Sequence, residues 1–272
     1  MQFARLNGVT LHYQTIGIAE GRPLLVFANS LGTDFRIWRD VIVRVAADFA
    51  ILTYDMRGHG LSDIGKTPYR MEDHAADLAA LLDHIDAPPA IVCGISVGGL
   101  VAQALYAARP GLVRGLILCD TLDRIGTTES WNARIEAIRN GGIAAIADGV
   151  LEGWFTQTFR EENPSFAGFR NMLLRQPVEG YVATCAALRD ADFTTSTGMV
   201  GVPTLCIAGA HDRTAPPGAM AEFARRIPGG RFEVIREAGH IPCVEQPDIF
   251  AEVVAAFVAL LPSMETAAHV GH

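Results

Sequence analysis

Apolar positions along the chain change their period repeatedly, and each change marks an element. Residues 3–6 and 9–14 alternate around Asn7-Gly8, a strong signal for a two-residue hairpin. The run "PLLVFAN" (23–29) is short and continuously apolar, as a strand buried on both faces should be. Residues 34–47 then carry Phe35, Trp38, Val41 and Val45 at helical spacing. The same sequence of events recurs. "AILTYD" (50–55), "AIVCGI" (90–95) and "GLILCD" (115–120) read as strands, and 71–85 and 97–108 read as helices.

Beyond residue 122 the strand pattern stops. Residues 129–139, 143–151, 164–174 and 180–189 all read as helices. Alternation resumes with "PTLCIAGAHD" (203–212), a helix at 219–226, the strand "RFEVIRE" (231–237) and a helix at 247–261. Strands alternating with helices predict an α/β fold with a mostly parallel sheet and helices on both faces. Residues 1–122 and 193–262 would form that core, and 123–192 a helical cap inserted into it. The polar, small-residue stretch 263–272 is expected to be a disordered tail.

Composition narrows the function classes. Half of the 272 residues are hydrophobic and 19% are charged, which suits one large domain with a sizeable core. The formal net charge of −8 argues against nucleic-acid binding, and it means that an anionic substrate needs a local cation. The N-terminus alternates like a strand, without the basic and apolar regions of a signal peptide. No apolar run approaches the ~18 residues of a membrane span. Cys93, Cys119, Cys185, Cys206 and Cys243 are scattered and odd in number, so reduced core residues of a cytoplasmic protein are expected.

"GISVG" (94–98) matches the G-x-S-x-G elbow between a strand and a helix. A serine at so sharp a turn needs tiny neighbours, which Gly94, Gly98 and Gly99 supply. It also needs a base. His240, in "EAGHIPCVEQP", follows the last strand and should reach the same sheet edge as Ser96. His59 is the rival base. His12, His74, His84, His269 and His272 read as surface residues, and His211 as orienting a loop. Asp212, after the penultimate strand, is the candidate acid that holds the imidazole tautomer. Asp120 is the alternative acid, or else a cap for the helical insertion. An oxyanion hole requires two amides. The helix start supplies that of Val97, and the small-residue loop "NSLGT" (29–33) that of Leu31, with Thr33 or Asp34 as an N-cap.

Together these residues and "DMRGHGLSD" resemble the α/β-hydrolase superfamily from about residue 9 to 261. "NSLGTDFRIW", "YDMRGHGLSD", "CGISVGGLVAQ", "RIGTTESWNARI" and "GYVATCAALRDAD" resemble, more narrowly, the 3-oxoadipate enol-lactonases of the β-ketoadipate pathway, a route of aromatic degradation. Two positions depart from that pattern: Asp120, where Asn is common, and Pro242-Cys243, where Ser-Asn is common. The resemblance implies a Ser96–His240–Asp212 serine esterase that opens a small enol-lactone and needs no metal or cofactor. An anionic lactone needs a cation. Arg134, three residues from Trp131 on one helix face, is expected to bind the carboxylate while Trp131 packs on the ring. Ser30 joins them as a substrate-binding residue, and Arg124 and Arg139 are alternatives to Arg134. Arg57 and Asp55 read as shaping their loop, and Trp154 and Phe155 as cap core. The rival functions are another carboxylesterase, lactonase, C–C hydrolase or perhydrolase of the same fold, or a hydrolase-like small-molecule receptor. A dehalogenase would need a carboxylate at Ser96.

Overall fold

The computed structural model describes residues 1–18 and 21–262. The proposed tail, 263–272, lies outside them, with His269 and His272. Eight strands form one sheet in the order β1-β2-β4-β3-β5-β6-β7-β8. They are β1 (Gln2–Leu6), β2 (Val9–Ile16), β3 (Leu24–Ala28), β4 (Ala50–Tyr54), β5 (Ala90–Ile95), β6 (Val113–Cys119), β7 (Thr204–Gly209) and β8 (Arg231–Ile235). β2 pairs antiparallel with β1 and β4, and all later pairs are parallel. The β1–β2 turn puts Asn7 and Gly8 at φ 48° and 79°, the left-handed pair that the hairpin reading requires. β3, β4 and β5 are buried at every position, so their unbroken apolar runs follow from cover on both faces. β8 closes the sheet as an edge and exposes Arg231 and Glu233, charges that discourage further pairing.

The core helices are α1 (Arg39–Val45), α2 (Met71–His84) and α3 (Val97–Ala108). The single helix expected over 34–47 is divided. Asp34 accepts a hydrogen bond from the Arg36 amide and starts a 3₁₀ turn, Phe35–Trp38, before α1. Between β6 and β7 come α4 (Thr128–Gly141), α5 (Ala147–Trp154), α6 (Gln157–Glu162), α7 (Phe166–Leu174) and α8 (Val178–Asp190). α4 begins at a capping box between Thr127 and Ser130. α6 is too short to show periodicity, and the sequence pattern missed it. The final helices are α9 (Pro217–Arg226), α10 (Pro242–Glu245) and α11 (Pro247–Ala259). Among the described residues, no helix is long and apolar enough to cross a membrane.

The inserted helices sit on the loops at the C-terminal edge of the sheet. α8 meets the β4 loop glycine to glycine: a Cβ on Gly180 would come 2.4 Å from the Gly58 carbonyl oxygen. A Cβ on Gly32, after β3, would come 2.8 Å from Leu173, 2.9 Å from Tyr181 and 3.3 Å from Trp154. A stack of Phe155 on Phe159, with ring centroids 4.6 Å apart, forms part of the insertion's own core.

Candidate active site

Ser96 joins β5 to α3 with φ 56° and ψ −119°, a strained conformation for a residue with a side chain. The surroundings hold it there. The Ser96 amide donates to the Cys119 carbonyl at 2.9 Å, and the Thr121 hydroxyl donates to the Ser96 carbonyl at 2.7 Å. Glycine is mandatory on both sides. A Cβ on Gly94 would lie 2.1 Å from the Gly98 carbonyl oxygen, and one on Gly98 2.2 Å from that of Ala28.

Asp212 lies just beyond β7. Its Oδ1 accepts the Thr214 amide at 2.7 Å, and its Oδ2 the Ala215 amide at 3.1 Å. Oδ2 is also 2.9 Å from His240 Nδ1. Burial alone would raise this carboxyl, but the His240 imidazole and the Thr214 amide hold it below the usual carboxylate range. The bond places the neutral imidazole proton on Nδ1 and leaves Nε2 free as a base. Ser96 and His240 line one cavity, without a direct hydrogen bond between them among the described residues.

The His240 loop has its own brace. Glu245 Oε2 accepts the Gly239 amide at 2.6 Å. Its Oε1 accepts the Thr156 amide at 2.9 Å and the Thr156 hydroxyl at 2.6 Å. One half-buried carboxylate therefore ties Gly239, just before His240, to Thr156, two residues after Trp154.

Asp120 caps no helix, contrary to the sequence reading. It is fully buried with φ 43°, and its Oδ1 accepts the Gly209 amide at 2.8 Å. Its Oδ2 accepts from the Cys119 thiol at 3.0 Å. Burial and the neighbouring Asp212 raise its carboxyl well above the ordinary value. Two buried carboxyls this close do not both ionise, and Asp120 is the one that keeps its proton. Pro242 and Cys243, the second departure, are buried at the start of α10 and stay off the cavity wall.

The cavity measures about 280 Å³ and takes its walls from both parts of the chain. Ser30, Leu31, Ser96, Thr214 and His240 come from the core loops, and Trp131, Arg134, Trp154 and Tyr181 from the insertion. Arg134 lies over the Trp131 ring, 5.0 Å from its centroid, and the Trp131 indole donates to the Ile125 carbonyl at 2.6 Å. Among the described residues Arg134 has no ion-pair partner. The Leu31 and Val97 amides likewise have no protein acceptor among them, while Thr33 folds its loop by bonding the Ser30 carbonyl.

Several expected residues lie elsewhere. Arg124 pairs with Asp192 at 3.6 Å, and Arg139 is exposed; neither lines the cavity. His12 and His74 are buried rather than on the surface, and His84 is exposed as expected. His12 bonds Asp55 at 2.8 Å between strand and loop. Arg57 reaches Asp77 on α2 through two bonds, a structural role. His59 is fully buried behind Tyr181 and does not line the cavity. His211 faces a separate cleft. Trp154 is both core, as expected, and cavity wall. Sequence reasoning missed Tyr181, whose apolar surroundings on α8 gave no sign of a site.

Residues 25–253 match the model of the alpha/beta hydrolase family. 3-oxoadipate enol-lactonase 2 of Acinetobacter baylyi is 37% identical over 91% of this chain and 92% of its own length. 3-oxoadipate enol-lactonase 1 of the same organism is 32% identical over 93% and 94%. The solved enol-lactonase of Burkholderia xenovorans LB400 superposes with a TM-score of 0.91 at 36% identity, covering 95% of this chain and all of that one. A serine elbow, a hydrogen-bonded His–Asp pair at the sheet's C-terminal edge and a match over most of its length place this chain in the alpha/beta hydrolase family.

Proposed function

We propose that the protein opens 3-oxoadipate enol-lactone to 3-oxoadipate through a Ser96–His240–Asp212 acyl-enzyme. One observation carries this reading: Ser96 and Arg134, a cation without an ion-pair partner among the described residues, line the same small cavity. At about 280 Å³ that cavity falls just below the ~300–1,000 Å³ of sites for drug-sized ligands, and it favours a compact one. The two enol-lactonases of A. baylyi support the same substrate class.

In this mechanism Ser96 Oγ attacks the lactone carbonyl as His240 Nε2 takes its proton. The Leu31 and Val97 amides stabilise the oxyanion, aided by the N-terminus of α3. Collapse breaks the bond from acyl carbon to ring oxygen. The leaving enolate takes the proton back from His240 and tautomerises to the ketone. His240 then deprotonates a water as it attacks the acyl carbon, and returns that proton to Ser96 Oγ as the acyl–oxygen bond breaks. Throughout, Asp212 stabilises the transient imidazolium. The substrate's carboxylate pairs with Arg134 while Trp131 packs on its ring, and Ser30 lines the same cavity.

The test is disappearance of freshly generated enol-lactone. Wild type should turn it over many times, and Ser96→Ala should not. Arg134→Ala should raise KM by about tenfold or more, the loss expected for a hydrogen-bonded charge pair. Absent lactone turnover with good hydrolysis of simple aryl esters would replace this reading with a general esterase.

A further inference from the structure

A second cavity, of about 470 Å³, shares no lining residue with the catalytic one. It opens where the C-terminal end of α7 meets β2 and the loops after β3 and β4. His12 lines it and is only 5% exposed. The rings of Phe3 and Phe35 pack on its imidazole with centroids 4.9 Å away, and its Nδ1 lies 2.8 Å from Asp55 Oδ2. Asp55 also accepts the Phe35 amide at 3.0 Å and the Leu61 amide at 2.9 Å. Such an acceptor holds the proton of the neutral ring on Nδ1 and makes Nε2 an acceptor. Nε2 has no hydrogen-bond partner among the described residues and is not sealed inside the protein. Gln176, 6% exposed, is placed likewise. Its Oε1 accepts the Gly60 amide at 3.1 Å, and its NH₂ is open and has no partner among the described residues. Polar groups held this deep are ordinarily completed by something, so both point to an occupant. Beside Gln176, Arg175 is exposed and has no ion-pair partner among the described residues. Arg36, the other cation of the cavity, is committed to Asp34 through two bonds.

We propose that this cavity is a second small-molecule site, and that it takes a hydroxylated aromatic carboxylate. The ligand hydroxyl donates to His12 Nε2, its carboxylate accepts from the Gln176 NH₂ and pairs with Arg175, and its ring packs on Phe35 and Met172. Each part of that ligand answers a group the protein leaves open: one acceptor, one amide donor, one cation and an apolar wall. The oxygens of Asp34 and Asp55 already accept hydrogen bonds, whereas Arg175 is uncommitted, and this sets the sign of the ligand's charge. At about 470 Å³ the volume falls within the ~300–1,000 Å³ of small-molecule sites. The site also adjoins the oxyanion loop. Phe35 follows Thr33 by two residues, and Leu173, next to Met172, stands 2.8 Å from where a Cβ on Gly32 would lie. A bound ligand would therefore bridge the insertion and the core at that loop. The inference holds whichever ester the catalytic cavity takes.

Titration calorimetry of the full chain with three probes tests it. Para-hydroxybenzoate should bind saturably, with one molecule per chain. Para-methoxybenzoate, which has no hydroxyl proton to donate to His12, should bind about fivefold more weakly, the loss of one neutral hydrogen bond. Para-hydroxybenzyl alcohol, which has no carboxylate, should bind about tenfold more weakly, the loss of a bond to a charged group. Two variants place the site. Arg175→Ala changes an exposed side chain and should fold as wild type does, yet weaken para-hydroxybenzoate by about fivefold or more. Arg134→Ala, in the catalytic cavity, should leave its affinity within about twofold, a difference below ~0.5 kcal/mol. Amide hydrogen exchange should slow at residues 172–176 when the ligand is bound. Absence of saturable binding at ~1 mM would overturn the proposal, as would equal affinity for the hydroxy and methoxy acids. Binding that survives Arg175→Ala and is lost in Arg134→Ala would place the ligand in the catalytic cavity and overturn it too.

Discussion

Asp120 and Asp212 are chemically identical, have carboxyl oxygens within 4.8 Å of one another, and should respond in opposite ways to the same substitution. Asp→Asn preserves shape and removes only the capacity for charge. Asp120 is already uncharged, being buried beside another carboxyl, with the Gly209 amide donating to its Oδ1 and the Cys119 thiol to its Oδ2. Its asparagine accepts from Gly209 through its oxygen, sets its NH₂ in place of Oδ2 beside the Cys119 sulfur, and, like the protonated acid, brings no charge against Asp212. Activity should stay within about threefold, below ~1 kcal/mol of barrier. Asp212 is held below the ordinary value by His240 and its backbone donors. An asparagine there keeps its oxygen on the Thr214 amide and turns NH₂ toward Nδ1. That forces the imidazole proton onto Nε2, where the base should be free. Loss of the correct tautomer and of the imidazolium's counter-charge lowers kcat by ~10⁴, or about 5 kcal/mol at 1.36 kcal/mol per decade. The assay is kcat and kcat/KM for lactone or aryl acetate between pH 6 and 9, with circular dichroism to verify folding. Infrared difference spectra of wild type against Asp120→Asn should also lose the protonated carboxyl stretch. A hundredfold loss in Asp120→Asn beside a mild effect in Asp212→Asn would refute the reasoning and make Asp120 the working acid.

Two further outcomes follow from burial. His59 and His74 are fully buried, which lowers them to about 4 and about 3. Both are therefore neutral in the fold, while the unfolded chain protonates below about pH 6.5. Stability is complete above that pH and is lost as pH falls toward the folded values, by up to about 3 kcal/mol for His59 alone. Urea unfolding at pH 7 and pH 4.5 should show the loss, and His74→Phe should flatten it; an unaltered slope in the variant would count against this account. Gly98→Ala drives a Cβ against the Ala28 carbonyl oxygen and should abolish turnover or folding. Gly111→Ala, with nothing within 4 Å, should leave both unchanged, and equal behaviour of the two would show the elbow to be less constrained than its geometry demands.

What the sequence determined by itself was whatever is encoded locally. Apolar period distinguishes strand from helix within about ten residues, so the alternation, the helical insertion and the Asn7-Gly8 hairpin were legible. The G-x-S-x-G turn is equally local, and strand order then puts Asp212 and His240 on the edge that holds Ser96. Trp131 and Arg134 were found because three residues on a helix make a shared face. The remaining features depend on how distant segments meet. Nothing near Tyr181 distinguishes a core tyrosine from a cavity wall; the difference arises where α8 crosses the β3 and β4 loops. Asp120 is an ordinary strand-end acid until β7 brings Asp212 against it across 92 residues of chain. Tertiary structure alone decided these, because burial and electrostatics are properties of the neighbours in space and not of the neighbours in sequence.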